Sequence, residues 1–181
     1  MKNKNTMYIV QGAVIAALYA VLTVMQNILL PGSASMAVQF RASEALTVLA
    51  LFTPAAVPGL SIGCIIANLS SVASLGIYDL LFGSAASFFA ALTMYALRNV
   101  RIFKIPFWAF LMPAVMNGIF VGFEIDFFFV NSLHFNFADF LFQGGLVALG
   151  ELGVLFILGL PLFLVIEKKK LQSALHLDSK E

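Results

Sequence analysis

Charges are missing from this chain over distances that a water-soluble domain does not tolerate. Met7 to Leu30 is 24 residues without one, Ala45 to Tyr78 is 34, and Leu80 to Leu97 is 18. An α-helix rises about 1.5 Å per residue, so about 20 apolar residues cross a hydrocarbon core about 30 Å thick. Soluble chains are about one-quarter charged, whereas here the figure is 10%, with 61% hydrophobic residues among 181. The chain is therefore read as an all-α membrane protein whose partner is the lipid bilayer. A net charge of +1 provides no field to gather nucleic acid. The single cysteine, Cys64, excludes an internal disulfide and, inside an apolar run, reads as a packing residue.

Punctuation by Pro, Gly and charge divides the chain into six predicted spans forming one integral domain over 1–181: about 7–30, 41–53, 57–74, 79–97, 105–123 and 140–166. The first is longer than the apolar core of a signal peptide. Cleavage near Ser33-Ala34-Ser35 is therefore the weaker reading, since further spans follow. The second, 41–53, is short and must tilt, borrow loop residues or span incompletely. Lys2, Lys4, Arg98, Arg101, Lys104, Lys168, Lys169, Lys170 and Lys180 fall on one side of this arrangement and only Arg41 on the other. By the positive-inside rule both termini are expected to be cytoplasmic, and the tail from Leu171 is expected to fray.

The opposite face then carries Arg41, Glu44, Asp79, Glu124, Asp126, His134 and Asp139. Acidic residues contribute little to orientation, so their concentration there points either to a solvated loop or to a site for an amine-bearing solute. Glu151 lies about 18 Å into the last helix, where an unpaired charge costs ~2.5–3.5 kcal/mol. Gly150 and Gly153 leave space beside it. Asn68 and Asn117 are amides inside spans, suited to reading a heterocycle or to holding two helices together. Arg41 and Glu44, three residues apart, can also pair with each other. The expected substrate contacts are Glu44, Asn68, Asn117 and Glu151, with Arg41, Tyr78, Asp79 and Glu124 at the mouth. The chain contains no H-E-x-x-H, no Cys/His metal spacing and no phosphate-binding G-x-x-x-x-G-K-[ST]. Metal-dependent hydrolysis and autonomous ATP hydrolysis are not expected. No enzyme activity, metal or cofactor is expected.

Small residues recur every fourth position in three places: Gly59, Gly63, Ala67 and Ser71; Gly83, Ser87 and Ala91; and, in the first span, Ala13 and Ala17 beside the row Gly12, Ala16 and Ala20. Such rows let two helices approach closely. The run FRASEALTVLALFTPAAVPGLSIGCIIANL, followed by YDLLFGSAAS from Tyr78, resembles the QueT family of substrate-binding S-components of energy-coupling-factor (ECF) transporters. The resemblance is strongest over 39–87 and implies an ECF S-component-like bundle of six helices. It further implies a partner, the ECF coupling transmembrane subunit with its two ATPase subunits, met by the Ala-x-x-x-Ala pair on the first helix, which Ala13 and Ala17 match best. The implied small-molecule substrate is a queuosine precursor such as an aminomethyl 7-deazaguanine. Another vitamin or heterocycle, or a stand-alone solute transporter, is left open by the residues themselves.

Overall fold

A computed structural model describes residues 4–31, 33, 38–70, 72–102 and 105–168, the side chains of 73–75 excepted. Lys2, Gly32, Ala34, Ser35, Ser71, Lys104, Lys169, Lys170 and the tail 171–181, with His176 and Lys180, lie outside the described residues. The described structure is all helical. Helix α1 is Lys4–Leu29, a 3₁₀ helix follows over Ala42–Leu51, α2 is Ala56–Leu69 and α3 is Val72–Ala96. Helix α4, Phe107–Glu124, continues into a π-helical turn, Ile125–Val130; α5, Phe137–Val154, runs through a second π turn, Leu155–Gly159, into α6, Leu160–Lys168. Four helical stretches are long and apolar enough to cross a membrane: Lys4–Leu29, Gly76–Ala96, Phe107–Val130 and Phe137–Lys168.

The boundaries correct the sequence reading in three places. The predicted helix over 57–74 stops at Leu69, and 72–75 belong to the next element, separated from its main body by Gly76 (φ 75°, ψ −170°). That backbone geometry is open to glycine and strained for other residues. The segment 124–139, expected as a loop, is helical as far as Val130 because the π turn carries α4 past Glu124. The last helix begins three residues before the expected Phe140, capped by the Asn136 side chain, which accepts from the Ala138 N–H at 3.0 Å.

The short second segment is ten residues long, shorter than expected, and largely buried. It is a 3₁₀ helix that touches every other helix of the bundle. Ser43, Glu44, Ala45, Thr47, Val48, Ala50 and Leu51 are all buried along it. Runs of 3₁₀ beyond three or four residues are uncommon, because the hydrogen bonds are poorer and side chains eclipse. Enclosure by its neighbours holds this one. At one end the core is apolar, with Phe52 stacked on Phe163 (ring centroids 5.6 Å apart) and Phe110 edge-on to the same ring (5.5 Å).

Lipid tails are as apolar as leucine, so helices in a membrane associate through close packing rather than through exclusion of water. Two glycine seams do this here. A Cβ on Gly59 would stand 2.8 Å from the Gly12 carbonyl oxygen, and one on Gly63 would stand 2.8 Å from both the Ala16 carbonyl oxygen and the Tyr19 Cβ. The Gly59, Gly63, Ala67 row thus docks on the inner ridge of α1, where Ala16 and Ala20 are buried. The second seam joins α4 to α5, where a Cβ on Gly122 would meet the Gly144 Cα at 2.5 Å. The opposite face of α1 is exposed and apolar, with Ile9, Val14, Leu18, Val21 and Met25 directed outward, and Ala13 and Ala17 lie on it.

Gly63→Leu is expected to lower stability by about 1–3 kcal/mol through overpacking. Ala13→Leu, on the exposed face, is expected to change it by less than about 0.5 kcal/mol. Thermal unfolding of the two variants in detergent checks the contrast.

Candidate functional site

The 3₁₀ helix brings a carboxylate into the middle of the bundle. Glu44 is 2% exposed; one of its oxygens, Oε1, accepts from the Tyr19 hydroxyl on α1 and from the Ser87 hydroxyl on α3 at 3.4 Å, while Oε2 is buried with no hydrogen-bond partner. On α3, Asp79, Gly83 and Ser87 follow at four-residue intervals and share a face. On α2, Cys64 and Asn68 do the same and point across at it. The Asn68 amide donates to the Asp79 carbonyl oxygen at 3.0 Å and to the Cys64 sulfur at 3.5 Å, and the Cys64 thiol donates to the Gly83 carbonyl oxygen at 3.7 Å. Gly83 is small of necessity: a Cβ there would stand 2.8 Å from the Asn68 amide nitrogen and 3.4 Å from an Asp79 carboxylate oxygen.

Arg41, at the head of the 3₁₀ helix, is 6% exposed and donates to the Cys64 sulfur at 3.7 Å. It is within electrostatic reach of Glu44, Asp79, Glu124 and Glu151. The acids fall into two sets around it: Glu151 interacts with Glu44, and Glu124 with Asp79. Glu124 and Glu151 are each 2% exposed, and each has a buried carboxylate oxygen without a partner, Oε2 and Oε1 respectively. Glu124 directly precedes a π turn of its helix, and Glu151 lies one helical turn before another. Such turns interrupt the regular hydrogen-bond ladder and are frequent at functional sites.

A strap of backbone crosses α5 at Gly150, the residue before Glu151. The peptide of Gln39 crosses directly against Gly150, where any side chain would collide with it. The strap is held by the Gln26 amide, which donates to the Phe40 carbonyl and to the Ser33 hydroxyl (2.9 Å) and accepts from the Ala42 N–H (2.8 Å). Beneath it the Thr23 and Ser43 hydroxyls share a hydrogen bond of 2.6 Å.

Six of the eight residues expected at the site, Arg41, Glu44, Asn68, Asp79, Glu124 and Glu151, come together in this constellation. Two stand apart from it. Asn117 is buried, but its amide donates to the Pro113 carbonyl one turn back in its own helix (3.1 Å). Tyr78 is 40% exposed and stacks on Phe128 with ring centroids 3.9 Å apart. Tyr19, Thr23, Ser43 and Ser87 join the constellation unannounced by the sequence reading. Cys64, read there as a packing residue, makes polar contacts with Arg41 and Asn68. A separate pocket of about 420 Å³ is lined by Phe82, Ile119, Phe120, Phe123, Phe135 and Phe140. It offers no polar group to orient a ligand, which makes the carboxylates the stronger candidate. Asp126 and Asp139 are tied to each other through Asn131, whose amide donates to both at 2.5 and 3.1 Å. They clasp the α4–α5 connection rather than facing the constellation.

Tyr19→Phe removes a donor from a buried carboxylate that already has one oxygen unserved. It is expected to cost about 1–3 kcal/mol of stability, measured as the shift of the unfolding transition in detergent.

No solved structure matches the chain. Among curated proteins, the Queuosine precursor transporter QueT of Lactococcus lactis subsp. cremoris (strain MG1363) is 32% identical over 166 residues, covering 87% of this chain and 90% of the relative. The family described as QueT transporter matches residues 9–168, nearly the whole of the described structure. With that match across the helices and the buried constellation they carry, this multi-pass membrane protein belongs to the QueT transporter family.

Proposed function

We propose that this chain is the substrate-specificity subunit of an energy-coupling-factor importer, taking a queuosine precursor, a 7-deazaguanine such as the aminomethyl form, from outside the cell. Membership of the QueT transporter family and the name of the Lactococcus relative support the substrate class. The observation that carries the site assignment is the pair of unpartnered, fully buried carboxylate oxygens, Glu44 Oε2 and Glu151 Oε1. A buried acceptor without a donor costs about 1–3 kcal/mol, more when charged, and proteins seldom leave one idle. The ring N–H and exocyclic amine of a guanine-like edge are two adjacent donors suited to a carboxylate, and the Asn68 amide has the chemistry to read a neighbouring carbonyl.

In this reading all six helical segments belong to the membrane domain, the 3₁₀ helix as an enclosed strut. Both termini are cytoplasmic, as the distribution of Lys and Arg favours. Arg41, Glu44, Asn68, Asp79, Glu124 and Glu151 surround the solute, and the Gln39 strap covers it. Nothing in the chain binds ATP in the manner of a phosphate loop, so the energy for uptake comes from a coupling transmembrane subunit and two ATPases. The exposed Ala13 and Ala17 on α1 supply a smooth ridge for that partner, since the neighbouring Gly12, Ala16, Ala20 row is already occupied by α2.

Calorimetry on the purified protein is expected to show binding of a 7-deazaguanine and none of riboflavin or thiamine. Glu151→Gln is expected to weaken that binding by ~1.5–3 kcal/mol through loss of a charge-assisted hydrogen bond. An unchanged affinity would make Glu151 a structural residue. The double change Ala13→Trp with Ala17→Trp is expected to abolish cellular uptake while leaving solute binding intact. Uptake that survives it would mean that the ridge does not meet a partner.

A further inference from the structure

The carboxylates of the site are unequal in number to its cations and divided in space. Glu44, Asp79, Glu124 and Glu151 gather around Arg41, the one basic residue of the sequence between Lys4 and Arg98. In a low-dielectric interior a surplus of carboxylates is offset by protons or by a bound cation. The division follows the axis of α3. Ser87, which donates to Glu44, lies eight residues from Asp79, the acid that Glu124 interacts with. Eight residues of helix span about 12 Å, comparable to the long axis of a bicyclic heteroaromatic ring bearing a one-carbon arm. Each end of this stretch has its own buried carboxylate oxygen without a hydrogen-bond partner, Oε2 of Glu44 at the Ser87 end and Oε2 of Glu124 at the Asp79 end. Gly83 lies midway, and the Asn68 amide fills the space beside it, donating to the Asp79 carbonyl oxygen.

We infer that the two ends read different parts of the ligand: Glu44 and Glu151 take the planar edge of the heterocycle, and Asp79 with Glu124 forms a separate subsite for an alkylammonium group on its arm. The inference rests on the function proposed above and deepens it by dividing the polar residues between two ligand groups. Arg41 is within electrostatic reach of both sets, one positive charge against four carboxyl groups. The Asp79–Glu124 end makes the protein select for the charge of the arm, and the Glu44–Glu151 end selects for the ring.

The test measures affinity by calorimetry on the full-length protein in detergent, with 7-aminomethyl-7-deazaguanine and its uncharged isostere 7-hydroxymethyl-7-deazaguanine as probes. Wild-type protein is expected to prefer the amine by about ten- to hundredfold. Glu124→Gln is expected to remove that preference by weakening the amine alone, with the alcohol changed less than about twofold. Asp79→Asn, the other half of the subsite, is expected to give the same collapse of selectivity and provides a reading if Glu124→Gln fails to fold. Glu151→Gln is expected to weaken both compounds alike and to leave the preference intact. Equal binding of both probes by wild-type protein, or an equal loss of both in Glu124→Gln and Asp79→Asn, overturns the ammonium subsite while leaving the transport reading standing. Failure of wild-type protein to bind either compound overturns the transport reading and the subsite with it.

Discussion

The structure depends on one placement: a glutamate on a fully enclosed 3₁₀ helix, held by a hydroxyl from α1 and a hydroxyl from α3, with its second oxygen left unserved. Tyr19 and Ser87 reach Glu44 only because α1 and α3 both lie against the 3₁₀ helix. Those contacts in turn require the glycine seam that lets α2 sit on α1 at backbone distance. A tight bundle and an unsatisfied polar centre are opposed in stability terms, since packing excludes the water that would serve the orphan oxygens. The ligand proposed above would supply the missing donors.

The seams and the site use small residues for different purposes, though the spacing is identical. Gly59 and Gly63 admit another backbone. Gly83 admits an amide and a carboxylate, and Gly150 admits a crossing strap. On α1, two parallel rows of small residues diverge: the Gly12, Ala16, Ala20 row faces inward, and Ala13 and Ala17 face outward. A one-residue offset is about 100° of rotation on a helix, enough to separate a buried ridge from an exposed one.

Much of this was legible beforehand. Charge-free runs locate helices reliably, because a bilayer or a buried core imposes the same demand on every residue in the run. The six helical segments accordingly fall within a few residues of expectation, apart from the overrun of α4 to Val130 and the boundary between α2 and α3, which lies at 70–71 rather than near 75–78. That overrun had no signal, since the acids at 124 and 126 read as a loop when in fact both turn inward. The 3₁₀ geometry was illegible because nothing local dictates it; enclosure by the other helices does. At the site, ionisable residues in apolar sequence were strong indicators, and Arg41, Glu44, Asp79, Glu124 and Glu151 converge. Tyr19, Thr23, Ser43 and Ser87 were silent because hydroxyls are common in membrane helices and need no explanation there. Cys64 packs in the apolar core as expected and in addition meets Arg41 and Asn68 through its sulfur. A clue lay in its spacing, four residues from Asn68, which puts the two on one face. Asn117 stands apart from the constellation, its side-chain amide one turn beyond a proline bonding to its own helix.

The central claim is that the unserved oxygens of Glu44 and Glu151 are reserved for the N–H donors of a bound heterocycle. An experimental structure of the protein with 7-aminomethyl-7-deazaguanine, at a resolution that defines carboxylate rotamers, tests it most directly. The account predicts ring and exocyclic nitrogens within about 3 Å of both oxygens, beneath the strap at Gln39. A ligand seated instead among the rings of Phe82, Phe120 and Phe140, with Glu44 and Glu151 satisfied by protein groups, would contradict it.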